Sequence, residues 1–210
     1  YDVYFHTWEN PYVEKLVELY KPVNYKVEKQ KYFNDIPKEG SMFGLYSRLY
    51  SAYKANELMV LNKKEYDLVF LTRFDLCFHT KLDLESFDPN YMYAQDSIYI
   101  NKHWNNWYVS DWWFASKQSH INNFVFEYHY LKEHLKPKID MPRGYVHRNG
   151  EVLSPQHFAC RSIINKHNFE MKYTLYRDQD HCLVRNVLNR EDPQTGKDIW
   201  IEKEGIYYQK

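Results

Sequence analysis

The sequence predicts an α/β fold: one domain in which a central, mostly parallel β-sheet is flanked by helices. Its 210 residues are enough for one sizeable core. Strand-like segments alternate with helical patterns along most of the chain, as they do in sheets built from β-α-β units. The run from Leu68 to Leu71 is apolar throughout. It lacks the alternation of a half-exposed strand and is therefore typical of a central strand covered on both faces.

Proline residues and polar loops separate the elements predicted in the first third of the chain. "YDVYFHTW" has strand-type residues, and "NPYVEKLVELYKP" predicts a helix with Asn10 as its N-cap and Pro11 at its first position. "NYKVEKQKY" predicts an exposed strand. The longest helical pattern extends from Ser41 to about Lys63, and it leads into the apolar strand over residues 66–72.

The rest of the chain predicts shorter elements. "YMYAQDSIYI" predicts one or two short strands, and Ser110 or Asp111 is expected to cap a helix over "WWFASKQSHINNFVFEYHYLKEHL". Residues 136–152 contain two prolines and two glycines and predict a loop. "SPQHFACRSIINKHN" predicts a helix with Ser154 as its cap and Pro155 at its first position, and "FEMKYTLYR" and "HCLVRNVL" predict late strands.

The composition disfavours one class of partner and mildly favours another. The 28 basic and 28 acidic residues cancel, so the net charge gives no general attraction to nucleic acid or to an anionic membrane. Aromatic residues make up 19% of the chain, with 21 Tyr, 12 Phe and 6 Trp. Such rings suit a core, but they also stack on sugars and bases. The excess therefore favours a carbohydrate or nucleotide ligand.

The cysteines and the hydropathy pattern predict an intracellular protein without a transmembrane segment. Cys77, Cys160 and Cys182 are far apart and form no metal-ligand spacing, which favours reduced, mostly buried thiols over a zinc site. No apolar run approaches the ~20 residues needed to cross a bilayer, and no signal peptide is visible. Because the chain begins at Tyr1, an earlier N-terminal segment is expected either to be lacking or to precede it.

Arg73 and Asp75 follow the predicted central strand directly. In open α/β sheets, ligands bind just beyond the carboxyl ends of the strands. A guanidinium can bind a diphosphate, and a carboxylate can bind a divalent cation or a ribose hydroxyl. The alternative is a buried ion pair or a turn-capping aspartate.

The signatures of phosphate-binding loops, dinucleotide-binding folds, serine hydrolases and zinc proteases are absent. The stretch "MFGLYSRLYSAYKANELMVLNKKEYDLVFLTRFDLCF" is preceded by "DVYFHTW" and "LYKP" and followed by "SDWWFASKQSHINNF", "SPQHF" and "CLVR". These segments, in this order over residues 1 to about 187, resemble GT-A-type nucleotide-sugar glycosyltransferases of a group found in bacterial surface-polysaccharide loci and in large viruses.

The resemblance implies a fold, an activity and a location. It implies one GT-A-like (Rossmann-like) domain over residues 1–210, which transfers a sugar from a nucleoside diphosphate to an acceptor hydroxyl. The acceptor would be a polysaccharide, a glycolipid such as lipopolysaccharide, or a glycoprotein glycan. The location would be cytoplasmic, or the host cytoplasm for a viral protein.

The resemblance also implies roles for particular residues. Arg73-Phe74-Asp75 stands where such enzymes commonly carry Asp-x-Asp. Asp75 matches the carboxylate that reaches a divalent cation, Mn²⁺ or Mg²⁺, whereas Arg73 replaces the other carboxylate and could neutralise diphosphate charge itself. A requirement for metal is therefore left open. Asp111 is expected beside the acceptor as a base or an orienting carboxylate, and its alternative role is helix capping.

Five further residues are weaker candidates. His6 and Thr7 end the first strand and are expected to contact the base or the ribose. Trp112 and Trp113 could stack on a sugar face, although tryptophans beside a helix more often belong to the core. His157 lies near the start of the last clear helix and could face a phosphate or a metal, although a surface position is the simpler expectation.

The favoured function is therefore a glycosyltransferase. The alternative is a non-catalytic carbohydrate-binding or assembly domain of a larger glycan-synthesis protein, which the aromatic content also fits. Turnover of a nucleotide sugar separates the two. The donor sugar, the base and the acceptor depend on loops such as residues 79–90 and 136–152, whose sequences do not specify them.

Overall fold

A computed structural model of the chain describes residues 1–78, 80–96, 109–136, 154–176, 181–183, 200–203 and 206–209. Except for residue 136, the predicted loop over 136–152 lies outside the described residues. Residues 97–100, the end of the segment "YMYAQDSIYI" that predicts one or two short strands, also lie outside them. Within the described residues, no helix is both long enough and apolar enough to span a bilayer.

The predicted α/β class is confirmed. The α-helices are α1 (Val13–Tyr20), α2 (Gly40–Leu61), α3 (Gln118–Phe126), α4 (Leu131–His134) and α5 (Pro155–Lys166). Short 3₁₀ turns cover Leu84–Ser86 and Glu127–Tyr130. The strands are β1 (Tyr4–Trp8), β2 (Asn24–Glu28), β3 (Val69–Leu71), β4 (Leu76–Phe78), β5 (Met92–Asp96), β6 (Phe114–Ser116), β7 (Met171–Tyr176), β8 (His181–Leu183), β9 (Trp200–Lys203) and β10 (Ile206–Gln209).

The central sheet is mixed, with the order β3-β6-β5-β7. Strand β6 is antiparallel to both of its neighbours, and β5 pairs with β7 in parallel. Strands β3, β5 and β7 therefore point in one direction and β6 in the other. Strands β1 and β2 form a separate parallel pair, and β4 with β8 and β9 with β10 form antiparallel pairs.

Both faces of the central sheet are covered, as the apolar run of β3 predicted. On one face, Leu71 and the fully buried Phe114 pack in a core with Leu45 and Leu49 of α2 and Ile163 of α5. On the other face, alternate residues of the same strands pack in a second cluster, which contains Phe70, Tyr93, Trp113 and Ala115. Successive side chains of a strand point to opposite faces, so one apolar run supplies both cores.

The helix predicted to begin at Asp111 begins at Gln118 instead, and the capping role proposed for Asp111 is wrong. Residues Phe114–Ser116 form β6, which pairs with β3 and β5 in the middle of the sheet. A continuous apolar run fits a buried helix and a buried strand equally well, and here the pairing partners on both sides decide for the strand. Asp111 therefore lies in the segment that enters β6.

The other helix predictions hold to within a few residues. Helix α2 covers Gly40–Leu61. In α1 the N-cap position is Tyr12, two residues after the predicted cap Asn10. Asn10 Oδ1 accepts the backbone N–H of Tyr12. In α5, Pro155 is at the first position as predicted, and Ser154 contributes its carbonyl oxygen rather than its hydroxyl to the helix start.

Candidate functional site

A cavity of about 890 Å³ lies between β1, α2 and the segment that follows β3. Its lining is largely apolar and aromatic, and two arginines from different elements contribute to it: Arg48 from α2 and Arg73 from the end of β3. His6 and Thr7 of β1 also line it. The structure thus brings three of the predicted nucleotide-sugar residues to one cavity, together with an arginine that the sequence analysis did not single out.

Arg73 and Asp75 form a two-pronged ion pair. Arg73 Nε donates to Asp75 Oδ1 over 2.6 Å, and Nη2 donates to Oδ2 over 2.7 Å. The side chains are 19% and 27% exposed, so the pair lies near the surface rather than in the core. This is the geometry in which a guanidinium also binds two oxygens of a phosphate. A phosphate that bound Arg73 would therefore compete with Asp75 for the same donors.

The donor set around Asp75 does not fit a resident divalent cation. Both carboxylate oxygens accept hydrogen bonds from Arg73. In the part of the chain that the structure describes, no three His, Cys, Asp or Glu side chains form a group that could hold a metal ion. A cation bound to Asp75 would therefore take most of its ligands from water or from a bound phosphate.

Asp111 lies at the centre of a second polar group. Its side chain is buried, with 6% of the residue exposed. Arg48 Nη1 donates to Asp111 Oδ2, and His157 Nε2 lies 3.3 Å from Asp111 Oδ1. The three residues come from α2, from the entry to β6 and from the start of α5. The group therefore joins three elements that are distant in sequence.

The electrostatics of Asp111 follow from these neighbours. Burial by itself raises the pKa of the carboxyl. Arg48, His157 and Arg73 each lower that pKa, and together they hold it well below its ordinary range. Asp111 is therefore ionised at neutral pH despite its burial. The contribution of Arg73 also places the Arg73–Asp75 pair within electrostatic reach of Asp111.

A backbone hydrogen bond fixes the segment that carries Asp111. The N–H of Val109 donates to the carbonyl oxygen of His157 over 3.1 Å. The N–H of His157 in turn donates to the carbonyl oxygen of Ser154 over 3.0 Å. The start of α5 thus contacts the Asp111 segment both through its backbone and through the His157 side chain.

His6 and Thr7 line the cavity but bond mainly to the protein. His6 is buried, with Nδ1 2.9 Å from Ser51 Oγ and Nε2 2.9 Å from Glu28 Oε2. Burial lowers the pKa of His6 more than Glu28 raises it. Thr7 Oγ1 donates to the carbonyl oxygen of Trp8 over 3.3 Å. A base or ribose contact by His6 would therefore require one of its two bonds to break.

Trp112 and Trp113 belong to the core. They are 5% and 0% exposed and lie in the apolar cluster on the second face of the sheet. The ring of Trp113 lies 5.6 Å from that of Phe70, measured between centroids. The core alternative is confirmed for both, and neither presents a face to a sugar.

The sequence contained a signal for Arg48, and it was missed. Arg48 lies three residues after Leu45 and four before Ala52 on α2, which places it on the apolar stripe that faces the core. A lone charge on such a stripe needs a buried partner or a function. His157 was predicted to face a phosphate or a metal, or to lie at the surface. The structure places its partly exposed imidazole beside Asp111, a contact that spans 46 positions of sequence.

No family model, curated protein or solved structure matches this chain. Two arginines and exposed aromatic rings line one cavity and can bind an anionic ligand that has a flat ring. Arg48 joins this lining to the buried carboxylate of Asp111.

Proposed function

We propose that this chain is a glycosyltransferase that moves a sugar from a nucleoside-diphosphate sugar to an acceptor hydroxyl in polysaccharide, lipopolysaccharide or glycoprotein glycan synthesis. One observation carries the proposal: Arg48 and Arg73 reach the same cavity from different elements, and Arg48 also pairs with the buried carboxylate of Asp111. The GT-A-like architecture is part of the proposal. It is supported by the three like-directed strands of the helix-covered sheet and by the order of the sequence motifs.

The cavity has the size and lining that a nucleotide needs. Its volume of about 890 Å³ lies within the usual range for ligand sites. The rings of Tyr20 and Phe74, which both line it, are 37% and 38% exposed, and their centroids lie 5.3 Å apart. Exposed rings beside a guanidinium suit a stacked base followed by charged phosphates.

Arg73 would bind the diphosphate of the donor. The guanidinium already holds two oxygens of Asp75, and it would exchange at least one of them for phosphate oxygens when the donor binds. Negative charge grows on the diphosphate as the sugar leaves, so a fixed cation stabilises the transition state more than the ground state. Asp75 would remain beside the phosphates, available to a ribose hydroxyl.

Asp111 would act on the acceptor side of the reaction. Its carboxylate is ionised, is fixed by Arg48 and by the backbone contact of Val109 with α5, and lies within electrostatic reach of Arg73. A group fixed in this way holds the reacting partners in a productive orientation, which accounts for a large part of the acceleration in two-substrate reactions.

The test is a thermal-shift screen followed by turnover. UDP-glucose, UDP-galactose, UDP-N-acetylglucosamine and GDP-mannose are each added with and without MnCl₂, and hits are assayed for release of nucleoside diphosphate with p-nitrophenyl monosaccharides as acceptors. A ligand at 100 times its Kd stabilises the fold by about 2.7 kcal/mol, and roughly 2–4 °C of Tm corresponds to each kcal/mol in a chain of this size. Binding without turnover would favour the carbohydrate-binding alternative, and no shift with any donor would contradict both.

A further inference from the structure

Both oxygens of Asp111 are already engaged. Oδ2 accepts from Arg48, Oδ1 faces His157 Nε2 at 3.3 Å, and the residue is 6% exposed. A carboxylate whose neighbours hold its pKa low is also a weak base, and proton transfer requires direct access to the proton. Asp111 is therefore well placed to orient another group and poorly placed to take a proton itself.

His157 is the residue that Asp111 can orient. Its side chain is 30% exposed, whereas that of Asp111 is 8% exposed, so the imidazole lies on the solvent side of the carboxylate. With Nε2–H donated to Asp111, the lone pair of Nδ1 remains as an acceptor, and Nδ1 has no hydrogen-bond partner among the residues that the structure describes. The imidazole is held at one nitrogen and open at the other.

We propose that His157 is the general base of the transfer reaction, with Asp111 and Arg48 as positioning residues; this inference rests on the glycosyltransferase function proposed above. His157 Nδ1 takes the proton of the acceptor hydroxyl as the acceptor oxygen bonds to the anomeric carbon of the donor. The bond from that carbon to the diphosphate oxygen breaks, and its electron pair leaves on the diphosphate. Asp111 stabilises the imidazolium that forms, as carboxylates do in other histidine–aspartate pairs.

The proposal has a stereochemical consequence. A single displacement, in which the acceptor attacks the anomeric carbon as the diphosphate leaves, inverts the configuration at that carbon. The glycoside product should therefore have the anomeric configuration opposite to that of the donor, which proton NMR of the product reads directly. A product with retained configuration would overturn the assignment of a base that assists direct attack.

The decisive variant is His157→Ala, with His129→Ala, an exposed histidine outside this group, as the matched control. With the donor that gives the largest thermal shift, kcat should fall about 100-fold or more in His157→Ala. The donor Kd, measured by calorimetry, should stay within about twofold, and added imidazole should restore part of the rate. The control should keep the wild-type kcat.

The outcomes separate this proposal from the one on which it rests. Turnover by the wild type with an unchanged kcat in His157→Ala would overturn the role of His157 and leave the glycosyltransferase function intact. A parallel loss of kcat, donor affinity and Tm, without rescue by imidazole, would assign His157 a structural role and also overturn the proposal. A wild type that turns over no donor would remove both proposals together.

Discussion

Two buried carboxylates, Asp111 and Glu127, have similar local chemistry and different surroundings. They are 6% and 3% exposed, each contacts histidine and a longer cationic side chain, and in each the neighbours hold the pKa low against burial. Arg48, the partner of Asp111, lines the cavity, whereas neither His134 nor Lys166, which bind Glu127, is among the described residues that line it. Burial and a lowered pKa are therefore common to both carboxylates. The difference between them is that Asp111 pairs with a residue that lines the cavity.

Glu127 acts as a structural link between helices. Its Oε2 accepts from His134 Nε2 and Lys166 Nζ, both over 2.8 Å, and its Oε1 accepts from His167 Nε2 over 2.7 Å. His134 Nδ1 also lies 3.1 Å from Ser162 Oγ. These contacts tie α4 and the turn before it to α5. None of these side chains is among the described residues that line the cavity.

The largest expected effect comes from Arg48→Met. The substitution leaves Asp111 buried without its arginine, so the free energy of unfolding should fall by about 3–5 kcal/mol. Transfer should fall about 100-fold or more, since the positioned carboxylate is lost. The double variant Arg48→Met/Asp111→Leu should regain most of the stability, because an apolar pair of similar volume often replaces a buried ion pair without loss. Its transfer rate should stay low. Urea unfolding and nucleotide release measure the two effects, and a single variant with wild-type stability would contradict the interpretation.

Glu127→Ala should lower the free energy of unfolding, as Arg48→Met does, but should leave the transfer rate unchanged. The substitution leaves the buried His134 and the half-exposed Lys166 without their acceptor, and a lost hydrogen bond to a charged group costs about 1.5–3 kcal/mol. The transfer rate per folded molecule should match the wild type. The comparison uses rates corrected for the folded fraction from urea titrations. A large loss of rate in the folded population would place Glu127 in the site and erase the distinction drawn here.

Arg73→Gln should weaken nucleotide binding while leaving the fold nearly unchanged. A hydrogen bond to a charged group contributes about 1.5–3 kcal/mol, which corresponds to roughly 10–100-fold in affinity. Lys132→Gln is the matched control, because it also removes one positive charge. Lys132 is 68% exposed, and its Nζ lies 3.6 Å from Asp35 Oδ2. Calorimetric titration with the nucleoside diphosphate of the active donor measures both. Equal affinities in the two variants would remove Arg73 from the site.

The smallest expected effect is on the pH dependence of stability. Burial by itself raises the pKa of Glu127. Hydrogen bonds from Lys166, His134 and His167 outweigh this effect and lower the pKa from its ordinary 4.5 to about 2. Because the folded state holds the carboxyl ionised, its stabilising effect is complete above about pH 4.5 and is lost as the pH falls towards 2. The difference in unfolding free energy between wild type and Glu127→Gln should therefore narrow between pH 5 and pH 3. A difference that stays constant over that range would refute the assignment.

Local patterns predicted much of the fold. The apolar stripe of α2 and the Ser154-Pro155 start of α5 predicted the bounds of these two helices to within one or two residues. The Phe114–Ser116 segment was predicted as part of a helix because Ser110 and Asp111 are good capping residues. The residues that pair with it in β3 and β5 lie at least 20 positions away in sequence, and an apolar run alone does not distinguish a strand from a helix.

The candidate site was only partly predictable for the same reason. Arg73 and Asp75 are neighbours, so their pairing was foreseeable as one of two alternatives. The contacts of Asp111 with Arg48 and His157 join positions 63 and 46 residues apart, and only the packing of α2 and α5 against the entry to β6 brings them together. Long-range contacts of this kind leave no periodic signal in a single sequence.

The most direct test of the account compares Asp111→Asn with Glu127→Gln in one assay. Both substitutions remove a buried negative charge and keep the shape of the side chain, and both rates are expressed per folded molecule with the same donor and acceptor. The account predicts that Asp111→Asn loses transfer by about 100-fold or more while donor affinity is retained, and that Glu127→Gln keeps the wild-type rate. Equal rates in the two variants, whether both are lost or both are kept, would contradict the claim that Asp111, with Arg48 and His157, takes part in the chemistry.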